Sequence, residues 1–185
     1  TITNAVTGAY SFDPGTAFQG LDAGESVNLS FNYSVSDGTV TVQKSAVITV
    51  AGQNDAPVAV TSSIIGADED AIIGGTLAAT DVDVEALTYT LKTAPAQGTL
   101  LIQSNGAFVF SPNVNLQDLD DGETRQLTFE YTVSDGTVSV DKEATLTVTG
   151  HNDAPTSATA SITGNEDNTV TGNLTAVDAE SDSLT

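Results

Sequence analysis

The stretch "LTFEYTVSDGTVSVDKEATLTV" (Leu127–Val148) decides the fold class. From Leu127 to Val133, apolar and polar side chains alternate with the period of two of a strand that buries one face. Asp135-Gly136 follows, a dipeptide that favours a tight turn between two strands. Beyond the turn, apolar residues recur up to Val148. The stretch therefore predicts an antiparallel β-hairpin with one apolar face.

The same hairpin occurs twice in the chain. A shift of 98 residues places "YSVSDGTVTVQKSAVITV" (Tyr33–Val50) over "YTVSDGTVSVDKEATLTV" (Tyr131–Val148), with 12 of 18 positions identical. A shift of 97 places Glu69–Thr88 over Glu166–Thr185, with 8 of 20 positions identical. A period this long indicates whole domains repeated in tandem, because the repeats of a solenoid are much shorter.

Further turn signals, such as Asn105-Gly106, divide the complete repeat into short segments that alternate in polarity. The predicted strands are 57–66, 71–80, 86–93, 98–103, 107–111, 126–134 and 137–149. Seven short strands in about 95 residues are typical of an immunoglobulin-like sandwich. The expected fold is all-β, with tandem seven-stranded β-sandwich repeats of about 98 residues.

The phrase "NDAP" occurs at Asn54–Pro57 and again at Asn152–Pro155, where it marks the boundaries between repeats. Each proline begins a strand, where the missing N–H costs least. The predicted domains are the last four strands of a repeat (1–53), a complete repeat (54–150) and the first two to three strands of another (151–185). Each partial repeat leaves an apolar face and open strand edges. Completion by another copy, giving an extracellular filament, is one expectation; the other is a piece cut from a longer protein, which the start at Thr1 favours.

The chain is strongly acidic, since 25 Asp and Glu residues against 4 Lys and Arg residues give a net charge of −21. Such a field repels nucleic acid and anionic membrane surfaces. No apolar run is long enough to span a bilayer. We therefore expect no nucleic-acid partner and no direct membrane insertion. The carboxylates crowd into short loops, where a hard cation such as Ca²⁺ would neutralise them.

Sandwich topology places these acidic loops at the ends of the repeats, beside the linkers. The first predicted metal site consists of Asp22, Glu25, Asn54, Asp55, Asp81 and Asp83. The second consists of Glu69, Asp120, Glu123, Asn152, Asp153, Asp178, Glu180 and Asp182. The first site has no equivalent of Glu69, so we expect it to be the weaker one. Asp37 and Asp135, in the two "SDG" turns, are predicted to form turns rather than to bind metal.

Four motifs follow one another in a fixed order: "NDAP", "GTLAATDVD" (Gly75–Asp83), "LDDGET" (Leu119–Thr124) and "YTVSDG" (Tyr131–Gly136). This order resembles the cadherin-like and VCBS-type repeats of large bacterial surface adhesins, including those of the RTX class. The resemblance implies a secreted, extracellular β-sandwich array in which Ca²⁺ rigidifies the junctions. Such an array would act as a spacer at the cell surface and support cell adhesion or biofilm formation. Its partners would be neighbouring repeats of the same or another copy of the chain.

Two other classes of function are alternatives to the spacer. An enzyme is not expected, because the chain has no cysteine, no Ser-His pairing and no phosphate-binding glycine loop. A module that binds carbohydrate or protein is the alternative. Carbohydrate recognition is disfavoured by the scarcity of aromatic platforms, with four tyrosines, six phenylalanines and no tryptophan.

Overall fold

The computed structural model describes residues 2–4 and 8–185. These residues form strands and loops and contain no helix, which confirms the all-β fold class. No helix within the described ranges could therefore cross a membrane. Two compact units are present: Thr1–Val58, Thr80–Leu87 and Ser134–Ser139 form the first unit, and Ala59–Ala79, Thr88–Val133 and Val140–Thr185 form the second.

The strands follow the predicted spacing closely. In chain order they are β1 (Ile2–Asn4), β2 (Ala9–Tyr10), β3 (Ser26–Ser36), β4 (Thr41–Ala51), β5 (Val58–Ala59), β6 (Ser63–Asp68), β7 (Ile73–Thr76), β8 (Ala79–Thr80), β9 (Thr88–Thr93), β10 (Thr99–Ile102), β11 (Ala107–Ser111), β12 (Thr124–Ser134), β13 (Ser139–Thr149), β14 (Thr156–Ser157) and β15 (Ala176–Val177).

Two sheets make up the sandwich of the middle repeat. One has the strand order β10-β11-β7 and the other the order β6-β13-β12-β9. The predicted strand 57–66 is divided into β5 and β6, and the predicted strand 71–80 into β7 and β8. β5 pairs with β8 in a separate short sheet, whereas β6 runs parallel to β13. The immunoglobulin-like sandwich is therefore confirmed, with its first two strands each broken in two.

The core of this sandwich follows the period of two in the sequence. Leu127, Phe129, Tyr131 and Val133 are buried on one face of β12, while the residues between them are more exposed. The Phe129 and Tyr131 rings pack with their centroids 6.2 Å apart. Each fully buried side chain of this size stabilises the fold by about 1.5–3 kcal/mol. The alternation thus determines which face of the hairpin turns inward.

In the first unit, β3 and β4 form a long antiparallel hairpin with regular register from Ser26↔Ala51 to Ser36↔Thr41. Its turn is closed by Asp37, whose carboxylate accepts the N–H groups of Thr39 and Val40 at 2.8 and 2.7 Å. The apolar residues of the hairpin are only partly buried. The final segment of the chain pairs through the short strands β14 and β15, with Thr156 opposite Val177.

Candidate metal centres at the two junctions

The first junction gathers three loops around the linker that follows β4. We define the first junction as Asp22, Asn54, Asp55, Asp81, Asp83, Glu85 and Asp135. The linker is anchored through the Asp55 N–H, which donates to the Asp83 carboxylate at 2.6 Å. The Asp83 N–H donates in turn to the Asp81 carboxylate at 3.0 Å. The first of these contacts joins residues that lie 28 positions apart in the sequence.

Three carboxylates of this junction converge. One oxygen atom from each of Asp22, Asp83 and Glu85 lies within 4.8 Å of the other two. Within the described ranges this is the only group of three or more acidic, histidine or cysteine side chains that meet so closely. Burial, followed by the charges of Asp22, Asp81 and Asp83, raises the pKa of Glu85. Like charges held this close disfavour the ionised form unless a cation compensates them.

The backbone of the acidic loop explains how Asp83 and Glu85 come together. Val84, which lies between them, adopts a positive φ of 67°. A β-branched residue is strained in this conformation, at about 1–3 kcal/mol. Ser181 occupies the same place between Glu180 and Asp182 in the aligned loop, with a φ of 68°. Both loops thus reverse direction at the position that separates two acidic residues.

Asn54 is held in a defined orientation. Its side-chain N–H₂ donates to the Asp135 carboxylate at 3.0 Å and to the Asp55 carbonyl at 2.6 Å. The hydrogen bond from Asn54 is the first cause of a lowered pKa of Asp135, and N–H groups of Val138 and Thr137 contribute further. Because both donors of the amide point to these partners, the Asn54 side-chain oxygen is left as a free acceptor, buried and without a hydrogen bond.

The second junction is organised around Glu69, which is only 2% exposed. We define the second junction as Glu69, Asp153 and Glu180. One Glu69 oxygen accepts the His151 N–H at 2.6 Å. One Glu180 oxygen accepts the Asp153 N–H at 2.7 Å, as Asp83 does for Asp55 at the first junction. Burial is the main cause of a raised pKa of Glu69, and the charges of Asp70, Asp153 and Glu180 add to it.

A glycine fixes the start of each linker. A Cβ on Gly52 would overlap the carbonyl oxygens of Leu21 and Asp22, and a Cβ on Gly150 would overlap Leu119 and the carbonyl oxygen of Asp120. The Gly52 N–H donates to the Glu25 carbonyl at 2.9 Å, and the Gly150 N–H donates to the Glu123 carbonyl at 2.8 Å. Only glycine allows the linker to lie this close to the acidic turn before it.

The sequence profile of the bacterial cadherin-like domain matches residues 54–151. The chain belongs to this family. No curated protein matches the cadherin-like chain. Among solved structures, protocadherin gammaB7 EC3-6 is 16% identical with a TM-score of 0.48, over 83% of this chain and 43% of that one. Human protocadherin-24 EC1-2 is 24% identical with a TM-score of 0.43, over 68% and 60% of the two chains.

An endo-fucoidan hydrolase of glycoside hydrolase family 107 is 22% identical with a TM-score of 0.40. The match covers 71% of the cadherin-like chain and 19% of the hydrolase. The chain thus spans less than half the length of the hydrolase and of the gammaB7 structure. Membership in the cadherin-like family indicates an extracellular module of the adhesion type.

The remaining predicted ligands are engaged in local contacts of the cadherin-like chain. Glu25 and Glu123 fold back on their own turns, where each accepts an N–H at 3.2 Å, from Asp22 and Asp120 respectively. Asn152 donates to the Asp153 carbonyl at 2.8 Å. In the last acidic loop, Asp178 accepts the Asp182 N–H at 3.1 Å. Asp120, Glu123, Asn152 and Asp182 are exposed.

Two residues of the first junction were not among the predicted ligands. Glu85 contributes to the group of three carboxylates, and Asp135 orients Asn54 in addition to closing its turn. The crowding of acids from Asp81 to Glu85 was a signal for the first. The sequence holds no signal for the second, because Asp37 in the equivalent turn has the same neighbours in sequence.

Proposed function

We propose that this cadherin-like chain is a calcium-stiffened spacer of an extracellular bacterial adhesin. One observation carries the proposal. Six buried side-chain oxygen atoms lack a hydrogen-bond partner in the described part of the chain, and all six belong to the two junctions: Asn54, Asp81, Asp83 and Glu85 at the first, Glu69 and Glu180 at the second. A buried acceptor without a partner costs about 1–3 kcal/mol, and more when it is charged. Six such atoms in two places support the proposal that each junction binds a cation.

The donor set fits calcium. All six atoms are carboxylate or amide oxygens, the ligands that Ca²⁺ takes in sets of six to eight with flexible geometry. No cysteine is present, and the single histidine, His151, pairs with Asp68 and Asp121 rather than with these oxygens. At the first junction, Asp22, Asn54, Asp81, Asp83 and Glu85 would hold the ion. At the second junction, Glu69, Asp153 and Glu180 would do so.

Each group joins a linker to loops distant in sequence, so a bound ion would restrict the linker. Without it, the carboxylates of each junction repel one another and favour opening. This gives the chain the properties of a stiff spacer when calcium is present and a flexible one when it is removed. We extend the proposal to secreted, VCBS-type repeats of the RTX adhesin class that hold an adhesive tip away from the cell and support biofilm formation.

The test is calcium titration of the chelated chain by calorimetry, followed by small-angle scattering with calcium and with EDTA. We expect heat of binding, a larger maximum dimension and a higher melting temperature with calcium. At a hundred times Kd, each independent site should add about 2.7 kcal/mol to the free energy of unfolding. If EDTA changes neither the melting temperature nor the maximum dimension, the proposal is wrong.

Matched variants locate the two sites. Asp83→Asn removes a charge at the first junction, and Asp13→Asn removes the same charge elsewhere in the first unit. Glu69→Gln does so at the second junction, with the exposed Glu143→Gln as its control. We expect calcium affinity to fall in Asp83→Asn and Glu69→Gln and to stay unchanged in the two controls. Equal affinities in all four variants would place the ions elsewhere.

A further inference from the structure

The two sheets of the middle repeat differ in charge. Residues 71–80 and 93–117, which contain β7, β10 and β11, include no Asp, Glu, Lys or Arg. The opposite sheet of β6, β9, β12 and β13 is charged, and there Lys92 Nζ pairs with the Asp141 carboxylate at 2.8 Å. In a chain of net charge −21, the sheet β10-β11-β7 is therefore a neutral area on an acidic molecule.

The outward side of this sheet is apolar. Leu101 in β10 and Val109 in β11 are Cα partners, and Val109 is in turn the partner of Gly74 in β7. Leu101 is 65% exposed, and Val109 and Gly74 are exposed as well. We define the neutral face as this row of three residues, Leu101, Val109 and Gly74. Phe108 and Phe110, on either side of Val109 in the sequence, are buried in the core.

The neutral face has a shape that matches itself. Across the three strands it presents a large side chain at Leu101, a smaller one at Val109 and none at Gly74. A Cβ on Gly75 would lie 2.7 Å from the Phe108 ring, so Gly75 faces the core and Gly74 faces outward. When two copies meet face to face about a two-fold axis along β11, Leu101 of each copy lies over Gly74 of the other. A projection then meets a hollow on both sides of the axis.

We propose that the neutral face is an interface between two copies of the chain, stacked sheet on sheet. A cationic partner would bind the acidic surfaces instead, and an anionic partner would be repelled by them. A second copy carries the same net charge, so it can approach closely only where charge is absent. The aromatic side chains of these strands, Phe108 and Phe110, are buried, which disfavours a sugar as the occupant.

The contact is small. Three strands about 4.8 Å apart, each about five residues long at about 3.3 Å per residue, present roughly 240 Å². Stable interfaces bury about 800 Å² on each partner, so one repeat should associate weakly, and repeats in tandem would add their contacts. Salt screens the repulsion between the acidic parts of the two copies, whereas the apolar contact is retained. Association should therefore strengthen with ionic strength and persist in EDTA.

Sedimentation of the 185-residue chain at rising protein and salt concentrations, in EDTA and in calcium, tests the contact. We expect the average mass to rise above 18.8 kDa in both buffers. Leu101→Asp should weaken association by roughly tenfold or more, because it buries an unpaired charge in the interface. The control is Ile65→Asp, at a residue that is 81% exposed on the opposite sheet, and it should associate as the unmodified chain does. A monomer under all conditions overturns the proposal, as does association that Leu101→Asp leaves unchanged.

A crosslinking experiment tests the symmetry, since the chain contains no cysteine of its own. Val109 lies at the proposed axis, so a short bismaleimide should join Val109→Cys chains in pairs and leave Ile65→Cys chains single. A mixture of Leu101→Cys and Gly74→Cys chains should give more crosslinked dimer than either variant alone. Equal yields in all of these samples would rule out the proposed packing.

The same variants distinguish a second copy from a sugar. If the chain stays monomeric but binds a neutral polysaccharide that Leu101→Asp no longer binds, the face belongs to that ligand and the proposal is wrong. Because neither sedimentation nor crosslinking needs calcium, failure here is separate from failure of the calcium sites.

Discussion

The β3–β4 and β12–β13 hairpins have nearly the same sequence and differ in what surrounds them. Both have strands of 11 residues and the same Asp-Gly turn. Tyr131 is fully buried and stacks with Tyr89 at a centroid distance of 6.5 Å, whereas Tyr33 is partly exposed and has Phe31 as its ring neighbour. The comparison separates the formation of the hairpin from the burial of its apolar face. The hairpin forms from its local pattern, but the burial of its apolar face depends on strands that precede it by about half a repeat.

The largest expected difference between the hairpins concerns the phenylalanines. Phe129→Ala should lower the free energy of unfolding by about 3–5 kcal/mol, because it empties space in a closed core. Phe31→Ala should cost about 1 kcal/mol, since the side chain is already partly in water. Urea unfolding followed by circular dichroism measures both variants. Equal losses would mean that the first hairpin is covered in solution.

The next effect comes from the tyrosine hydroxyls. Tyr131→Phe removes the hydrogen bond to the Thr61 carbonyl and leaves that carbonyl without its partner, which costs about 1–3 kcal/mol. Tyr33→Phe is the matched control and should leave the monomer unchanged within error. The melting temperatures of the two variants, measured at low protein concentration, check this. A loss of stability in Tyr33→Phe alone would contradict the assignment.

The two turns allow a smaller and more specific comparison. Asp37→Ala and Asp135→Ala each remove a carboxylate that accepts two backbone N–H groups, but only Asp135 also holds Asn54. Residues that orient a metal ligand typically change affinity by roughly tenfold or more when they are removed. We expect calorimetry to detect that loss in Asp135→Ala and no loss in Asp37→Ala. Unchanged calcium affinity in both variants would limit Asp135 to its turn.

The smallest expected effect is on pH dependence. Burial raises the pKa of Glu69 in the folded state, so the native chain binds more protons than the unfolded chain at pH values between the ordinary pKa of a glutamate and the raised pKa. In EDTA, stability should therefore decrease as the pH rises through this window. The exposed Glu166, its counterpart in the last segment, is the matched control. Melting temperatures of Glu69→Gln and Glu166→Gln between mildly acidic and neutral pH test this, and only Glu69→Gln should flatten the curve.

The period of two and the Asp-Gly and Asn-Gly turns were enough to predict the strands, because both act over a few residues. The division of 57–66 into β5 and β6 was not predictable in this way, because the two pieces pair with different partners. Ile65 and Val60 are both exposed, and the sequence around them has no pattern that distinguishes one sheet from the other. Which sheet a short strand joins depends on backbone hydrogen bonds to distant strands.

The candidate metal ligands also fall into two groups: those that the local sequence predicted and those that depend on the folded backbone. Asn54, Asp55, Asp81 and Asp83 were predicted from their place in loops and linkers, and the structure brings them into one hydrogen-bonded group. Glu85 joins them through the left-handed backbone of Val84, a conformation that a valine does not predict. Glu25 and Glu123 each accept a backbone N–H of their own turn. The sequence spacing of an acidic residue is the same whether its carboxylate binds the nearby backbone or a metal ion, so spacing alone did not distinguish the two.

The parallel pairing of β6 with β13 has a mechanical consequence. β6 lies near the beginning of the middle repeat and β13 ends it, and five residue pairs align them from Ser63 and Thr145 to Asp68 and Thr149. Tension applied through the two ends of the repeat pulls these strands along their length in opposite directions. The load falls on all of the backbone hydrogen bonds of the ladder together, in shear, rather than on one bond at a time as in unzipping. The repeat is built to resist being drawn out end to end.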